Sequence, residues 1–136
     1  MAVVMRAAAV YMLLLAVVVA GHFLANQFYD PALEGTSLTV WRVIDPLMVA
    51  GLVMVLVFAF ARKRRLDANP AVDREYLETN VVFYYSAALL LALLWNWFGF
   101  EWVEPSNSAG WIWTVIDVTL PLLLASTGIR LLRSPS

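Results

Sequence analysis

Two aspartates in this chain stand four residues beyond a tryptophan, in Trp41-Arg-Val-Ile-Asp45 and, 72 residues later, in Trp113-Thr-Val-Ile-Asp117. On a helix, residues four apart share a face and lie about 6 Å apart along the axis. Both acids sit in strongly apolar stretches, where a carboxylate marks either an ion or proton path or a polar contact between helices. In the first role, two carboxylates with neighbouring amides would hold a cation at the mouth of a bundle. In the second, each acid pins the end of a helix.

The local sequence favours the second role. Asp45 followed by Pro46 is the usual pairing of an N-cap with a first helical residue, so a regular helix is expected to begin there. Residues 41–44 then form an approach turn, in which Arg42 pairs with Asp45. Pro121 has no N–H to donate to the carbonyl of Asp117, which predicts a kink and a free acceptor. Asn26 and Asn96 are expected at similar depth, as hydrogen-bonding partners of the acids across helices. Against a conduction path, residues 48–60 and 118–129 contain no ionisable side chain.

Other chemistries are bounded more tightly. The chain has no Cys and a single His, His22. This removes disulfides, thiolate metal sites, iron–sulfur clusters and a bis-histidine haem within one chain. His22 has Asn26, Tyr29 and Asp30 nearby in sequence and is a metal-ligand candidate only with donors from another subunit; the bland reading is a hydrogen-bonded packing residue. No glycine-rich phosphate loop, G-x-S-x-G elbow or H-E-x-x-H pair appears, so no catalytic residue and no cofactor are assigned. A net charge of −1 with one short basic cluster excludes a nucleic-acid interface.

Composition supplies the setting. Hydrophobic residues make up 62% of the 136 and charged residues 14%, against roughly 45–50% and about 25% in soluble domains. Four apolar stretches, 3–28, 40–61, 80–100 and 111–132, are each long enough to cross a bilayer. They lack the strict alternation of a barrel strand. The expectation is an all-α integral membrane protein, one domain over 1–136, built as a four-helix bundle. Arg6 before an apolar run and Val18-Val19-Ala20 give the first stretch a likeness to a secretory signal, but we expect it to remain as a span.

Charge asymmetry predicts orientation. Arg62, Lys63, Arg64, Arg65 and Arg74 fall in the connection 62–79, Arg130 and Arg133 close the fourth span, and Arg6 opens the first. The other two connections carry the acids Asp30, Glu34, Glu101 and Glu104. By the positive-inside tendency both termini and the basic connection face the cytoplasm, in a cytoplasmic membrane of bacterial or archaeal type. Trp41, Trp95, Trp97, Trp102, Trp111 and Trp113 fall at the outer ends of the spans, as interface anchors do. The cluster Arg62 to Arg65 is expected mainly to fix topology and also to face anionic lipid. Asn69 before Pro70 predicts that the third helix starts within the basic connection.

The two Trp-x-Val-Ile-Asp motifs, with Leu93-Leu-Trp-Asn96 loosely matching Phe23-Leu-Ala-Asn26, suggest two tandem hairpins related by a pseudo-twofold axis along the membrane normal. Small residues on the first and third spans favour close helix packing. With little chain outside the bilayer, we expect a non-catalytic accessory subunit. Its partners would be other integral membrane subunits, in a hetero-oligomer, together with structural lipids. The alternative is a small homo-oligomeric transporter or channel that uses Asp45 and Asp117.

Overall fold

The computed structural model describes residues 2–30, 35–68, 72–104 and 109–133. They form four long helices: α1 (Ala2–Tyr29), α2 (Thr36–Asp67), α3 (Arg74–Phe98) and α4 (Gly110–Arg133), with one π-helical turn, Gly99–Val103, extending α3. All four are long and apolar enough to cross a membrane, and the chain reads as an integral membrane protein. In lipid every backbone N–H and C=O must be paired within the segment, and a continuous helix achieves this.

That requirement overrides a local signal. The helix expected to start at Asp45 and Pro46 begins instead at Thr36 and runs through Pro46, and α4 likewise runs through Pro121. Each proline removes one hydrogen bond, whereas ending the helix inside hydrocarbon would strand several. At 32 residues, α2 is about 48 Å long and overreaches the roughly 30 Å hydrocarbon layer.

The helices run up and down. Hydrogen bonds and ion pairs set each register: Tyr11 to Leu47 and His22 to Ser37 between α1 and α2, Arg62 to Glu75 between α2 and α3, and Asn96 to Ala109 and Arg130 to Glu78 between α3 and α4. The broadest contacts, however, join α1 to α4 and α2 to α3, and α2 also touches α4 across the bundle. One end of the bundle carries the two acidic connections and the other carries the arginines. They are called the acidic and the basic end below.

Apolar residues at spacings of three and four point inward from every helix: Met12, Leu15 and Val19 on α1; Met48, Leu52 and Val55 on α2; Leu89 and Leu93 on α3; Ile116, Leu120 and Leu124 on α4. Large apolar side chains on the opposite faces, such as Val17, Leu91 and Leu122, are exposed, as expected of surfaces solvated by lipid tails. Glycine permits the closest approaches. A Cβ on Gly128 would lie 3.1 Å from the backbone oxygen of Ala9, and one on Gly51 would lie 2.9 Å from Leu15 and 3.1 Å from Leu124.

At the basic end, Glu78 bridges Arg74 of its own helix and Arg130 of α4. Arg62 pairs with Glu75 and Lys63 with Asp67. The cap of α3 is Asp73, whose carboxylate accepts from the Tyr76 N–H at 2.8 Å, and the helix begins at Arg74. The proposed cap at Asn69 and Pro70, like Glu34, lies outside the described residues.

Candidate functional site

Asp45 and Asp117 are brought together. Leu124 of α4 lies against Gly51 of α2, and these two helices run in the same direction. Asp45 precedes Gly51 by six residues and Asp117 precedes Leu124 by seven, which puts the acids about 9 Å and about 10.5 Å toward the acidic end from that contact. They therefore stand at nearly the same depth on two touching helices. Only 6% of Asp45 and 7% of Asp117 is exposed. Each lies within electrostatic reach of another acid, Asp117 of Asp45, and Asp45 of Glu101.

Two carboxylates in such a place repel with little water to screen them, and a counter-ion or a proton relieves that repulsion. The expected counter-ion, Arg42, is turned elsewhere. Its Nε donates to Glu101 at 3.0 Å, joining α2 to the π-helical turn beyond α3. Arg42 is exposed while Asp45 faces the core, so the predicted Arg42–Asp45 pair does not form. Asp117 Oδ1 is buried and has no hydrogen-bond partner among the described residues.

The two asparagines are also committed elsewhere. Asn96 is fully buried; its Oδ1 accepts from the Ala109 N–H at 2.9 Å and its Nδ2 donates to the Ala109 carbonyl at 3.2 Å. Asn26 Oδ1 accepts from Gln27. Neither bonds to the acids; Asn96 is drawn to the Ala109 N–H, a donor that the start of α4 leaves without a helical partner.

Asp30 does similar work at the start of α2. Gly35, the residue before that helix, has no side chain with which to cap it, and Asp30 Oδ2 accepts instead from the N–H groups of Gly35 (3.0 Å) and Ser37 (3.1 Å). The sequence pointed to Asp30 as a loop acid and a neighbour of the His22 metal-ligand candidate, and to Glu101 as a loop acid, but to neither as a helix-capping or ion-pairing residue. The glycine at the α2 cap was the available signal that a carboxylate from outside the helix was needed.

His22 is engaged at both ring nitrogens. The Tyr29 hydroxyl lies 2.9 Å from Nδ1, and Nε2 lies 3.4 Å from the Ser37 carbonyl. A ring protonated at Nε2 satisfies both, donating to Ser37 and accepting from Tyr29. The imidazole packs on Trp41 with centroids 4.7 Å apart. Trp41 is thus a core residue, 9% exposed, rather than an interface anchor, and Trp97 and Trp113 are half-buried, whereas Trp95, Trp102 and Trp111 are exposed. Among the described residues no three His, Cys, Asp or Glu come together in a group able to hold a metal ion.

Below the acids the bundle is filled. Met48, Leu52, Leu120, Leu124 and Leu93 are completely buried. The next buried polar residue on α4 is Thr127, ten residues and about 15 Å further on. The arrangement can hold a proton or a small cation near the acidic end, and packing that is apolar apart from the buried Ser86 of α3, whose hydroxyl donates to the Phe83 carbonyl, separates it from the basic end. No protein-family model matches the chain, and neither a curated protein nor a solved structure shows significant similarity to it.

Proposed function

We propose that this protein is a non-catalytic accessory subunit, which stabilises or positions a larger membrane enzyme or transporter through lateral helix packing. The observation that carries this reading is the closed interior. Completely buried Met48, Leu52, Leu120 and Leu124 fill the space that a conducting protein would keep open, and most of the chain's remaining surface is lipid-facing helix. In this reading the basic end faces the cytoplasm, and the matched depth of Asp45 and Asp117 reflects a duplicated helical hairpin. Native mass spectrometry of particles gently extracted from the source membrane tests it. The expected result is a heteromer with larger membrane subunits, and a stable homo-oligomer alone would overturn it.

A second reading is favoured by one specific observation, that Asp117 Oδ1, within electrostatic reach of Asp45, has no hydrogen-bond partner among the described residues. A homo-oligomeric transporter would use this pair as its ion-binding site, with a pore formed between copies. Ion flux into vesicles containing only this chain, abolished by Asp117→Asn, would establish that reading in place of the first.

A further inference from the structure

Four consecutive basic residues end α2, and the fold treats them unequally. Arg62 and Lys63 are paired within the protein, with Glu75 at 2.7 Å and Asp67 at 2.9 Å. Arg64 and Arg65 are exposed and form no ion pair among the described residues; the guanidinium of Arg64 rests 5.9 Å from the centroid of the Phe60 ring. Their place on the helix is informative. Arg64 and Arg65 follow Val57 and Phe58 by seven residues, two turns, and so continue the same face about 10 Å nearer the basic end.

Val57 and Phe58 line a cleft between α1 and α2, together with Val53 of α2 and with Ala7, Ala8 and Tyr11 of α1. Its volume is about 500 Å³ and its walls are almost wholly apolar. The cleft has a structural cause. α1 is drawn onto α4 by the close approach at Gly128, and the small side chains of Ala7 and Ala8 leave space on the side facing α2. The hydrogen bond from the Tyr11 hydroxyl to the Leu47 carbonyl, 2.8 Å, spans the two helices on the acidic side of the cleft.

We propose that this cleft and the two arginines form one binding site for an anionic phospholipid, with an acyl chain between α1 and α2 and the phosphate on Arg64 and Arg65. The argument is charge and shape together. A stripe that changes from apolar to doubly cationic within about 10 Å matches the change from acyl chain to phosphate in a lipid. Guanidinium groups bind phosphate oxygens in paired, charge-assisted hydrogen bonds. A partner helix of ordinary apolar sequence would fill the cleft but leave the arginines unused.

The test uses the full-length chain in detergent, titrated with phosphatidylglycerol and with phosphatidylcholine of the same acyl chains, and bound lipid counted by native mass spectrometry. Phosphatidylglycerol is expected to bind roughly tenfold more tightly. Arg64→Gln with Arg65→Gln is expected to abolish that preference and leave phosphatidylcholine binding unchanged, while Ala8→Trp, which fills the cleft, weakens both lipids. Arg133→Gln, at the same end of the bundle on α4, is expected to preserve the preference, and circular dichroism verifies that every variant is folded. A preference that survives the double Gln variant, or that falls equally with Arg133→Gln, overturns the proposal in favour of diffuse attraction. Displacement of phosphatidylglycerol from the cleft by inorganic phosphate alone also overturns it, because the acyl chain would then contribute nothing.

Discussion

Asn96 of α3 holds both backbone polar groups of Ala109, the residue from which α4 starts, accepting from one at 2.9 Å and donating to the other at 3.2 Å. The amide oxygen supplies the acceptor that the N–H at a helix start lacks, and the amide N–H adds a further donor to a carbonyl that already accepts from Ile112 and Trp113. Asn96→Ala leaves the buried Ala109 N–H without a partner, while the Ala109 carbonyl keeps the N–H groups of Ile112 and Trp113, and the change is expected to cost about 1–3 kcal/mol. Asn96→Asp keeps the acceptor and loses the donor, so its melting temperature in detergent should lie between those of the alanine variant and the wild type. Equal melting temperatures for all three would remove Asn96 from this role.

Gly128 and Gly21 make a matched pair of controls. A methyl on Gly128 would press on the Ala9 carbonyl at 3.1 Å and on Leu13 at 3.0 Å, while one on Gly21 meets nothing within 4 Å. Gly128→Ala is expected to destabilise the bundle by about 1–3 kcal/mol through overpacking. Gly21→Ala should be neutral or slightly stabilising, since alanine is the better helix former. Thermal melts of the two variants side by side measure the difference directly.

The acid pair predicts a non-additive result. If Asp45 and Asp117 repel one another, replacing either by Asn removes the repulsion, and replacing the second brings little more. Each single variant is expected to melt above the wild type, and the double variant no more than slightly above the better single. Coupling between neighbouring sites is what such a cycle measures. Strictly additive changes would show that the two carboxylates act independently.

At the basic end, pH separates a structural ion pair from a surface charge. Glu78 stands ahead of the apolar span, and the Arg74 guanidinium bonded to it, followed by that of Arg130, holds its carboxyl below the ordinary value of 4.5. A carboxyl depressed on folding contributes stability above its unfolded pKa and loses it as pH falls through the lower folded value. The difference in melting temperature between wild type and Glu78→Gln should accordingly be constant from neutral pH to about pH 5 and shrink toward zero below about pH 4. The group is solvent-accessible, so the difference is small and declines in high salt. A gap that widened on acidification would contradict this assignment.

Hydropathy made the four helices legible, because burial in lipid needs about 20 apolar residues and leaves no other way to pair the backbone. The boundaries and partners were less legible. Asp45 and Pro46 carry the signature of a helix start in water, but continuing the helix in lipid outweighs a local cap, and α2 starts at Thr36. The pairing of Arg42 with Glu101, 59 residues away, depends on where a π-helical turn brings its carboxylate, and helical spacing does not encode that. Asn96 could be identified as a polar contact; that it would choose the Ala109 backbone over an aspartate depended on where α4 begins against α3. The meeting of Asp45 with Asp117 was out of reach for the same reason, since it required knowing that α2 and α4 touch across the bundle.

The broad contact of α1 with α4 also sets an order of events during synthesis. α1 finds its principal partner only when α4 has been made, about a hundred residues later, and contacts so distant in the chain form late. Until then Ala9 and Leu13, which close around Gly128 in the finished protein, have only lipid or another protein against them. A chain truncated after α3 would leave that face of α1 uncovered, making it a substrate for whatever in the membrane recognises unassembled helices.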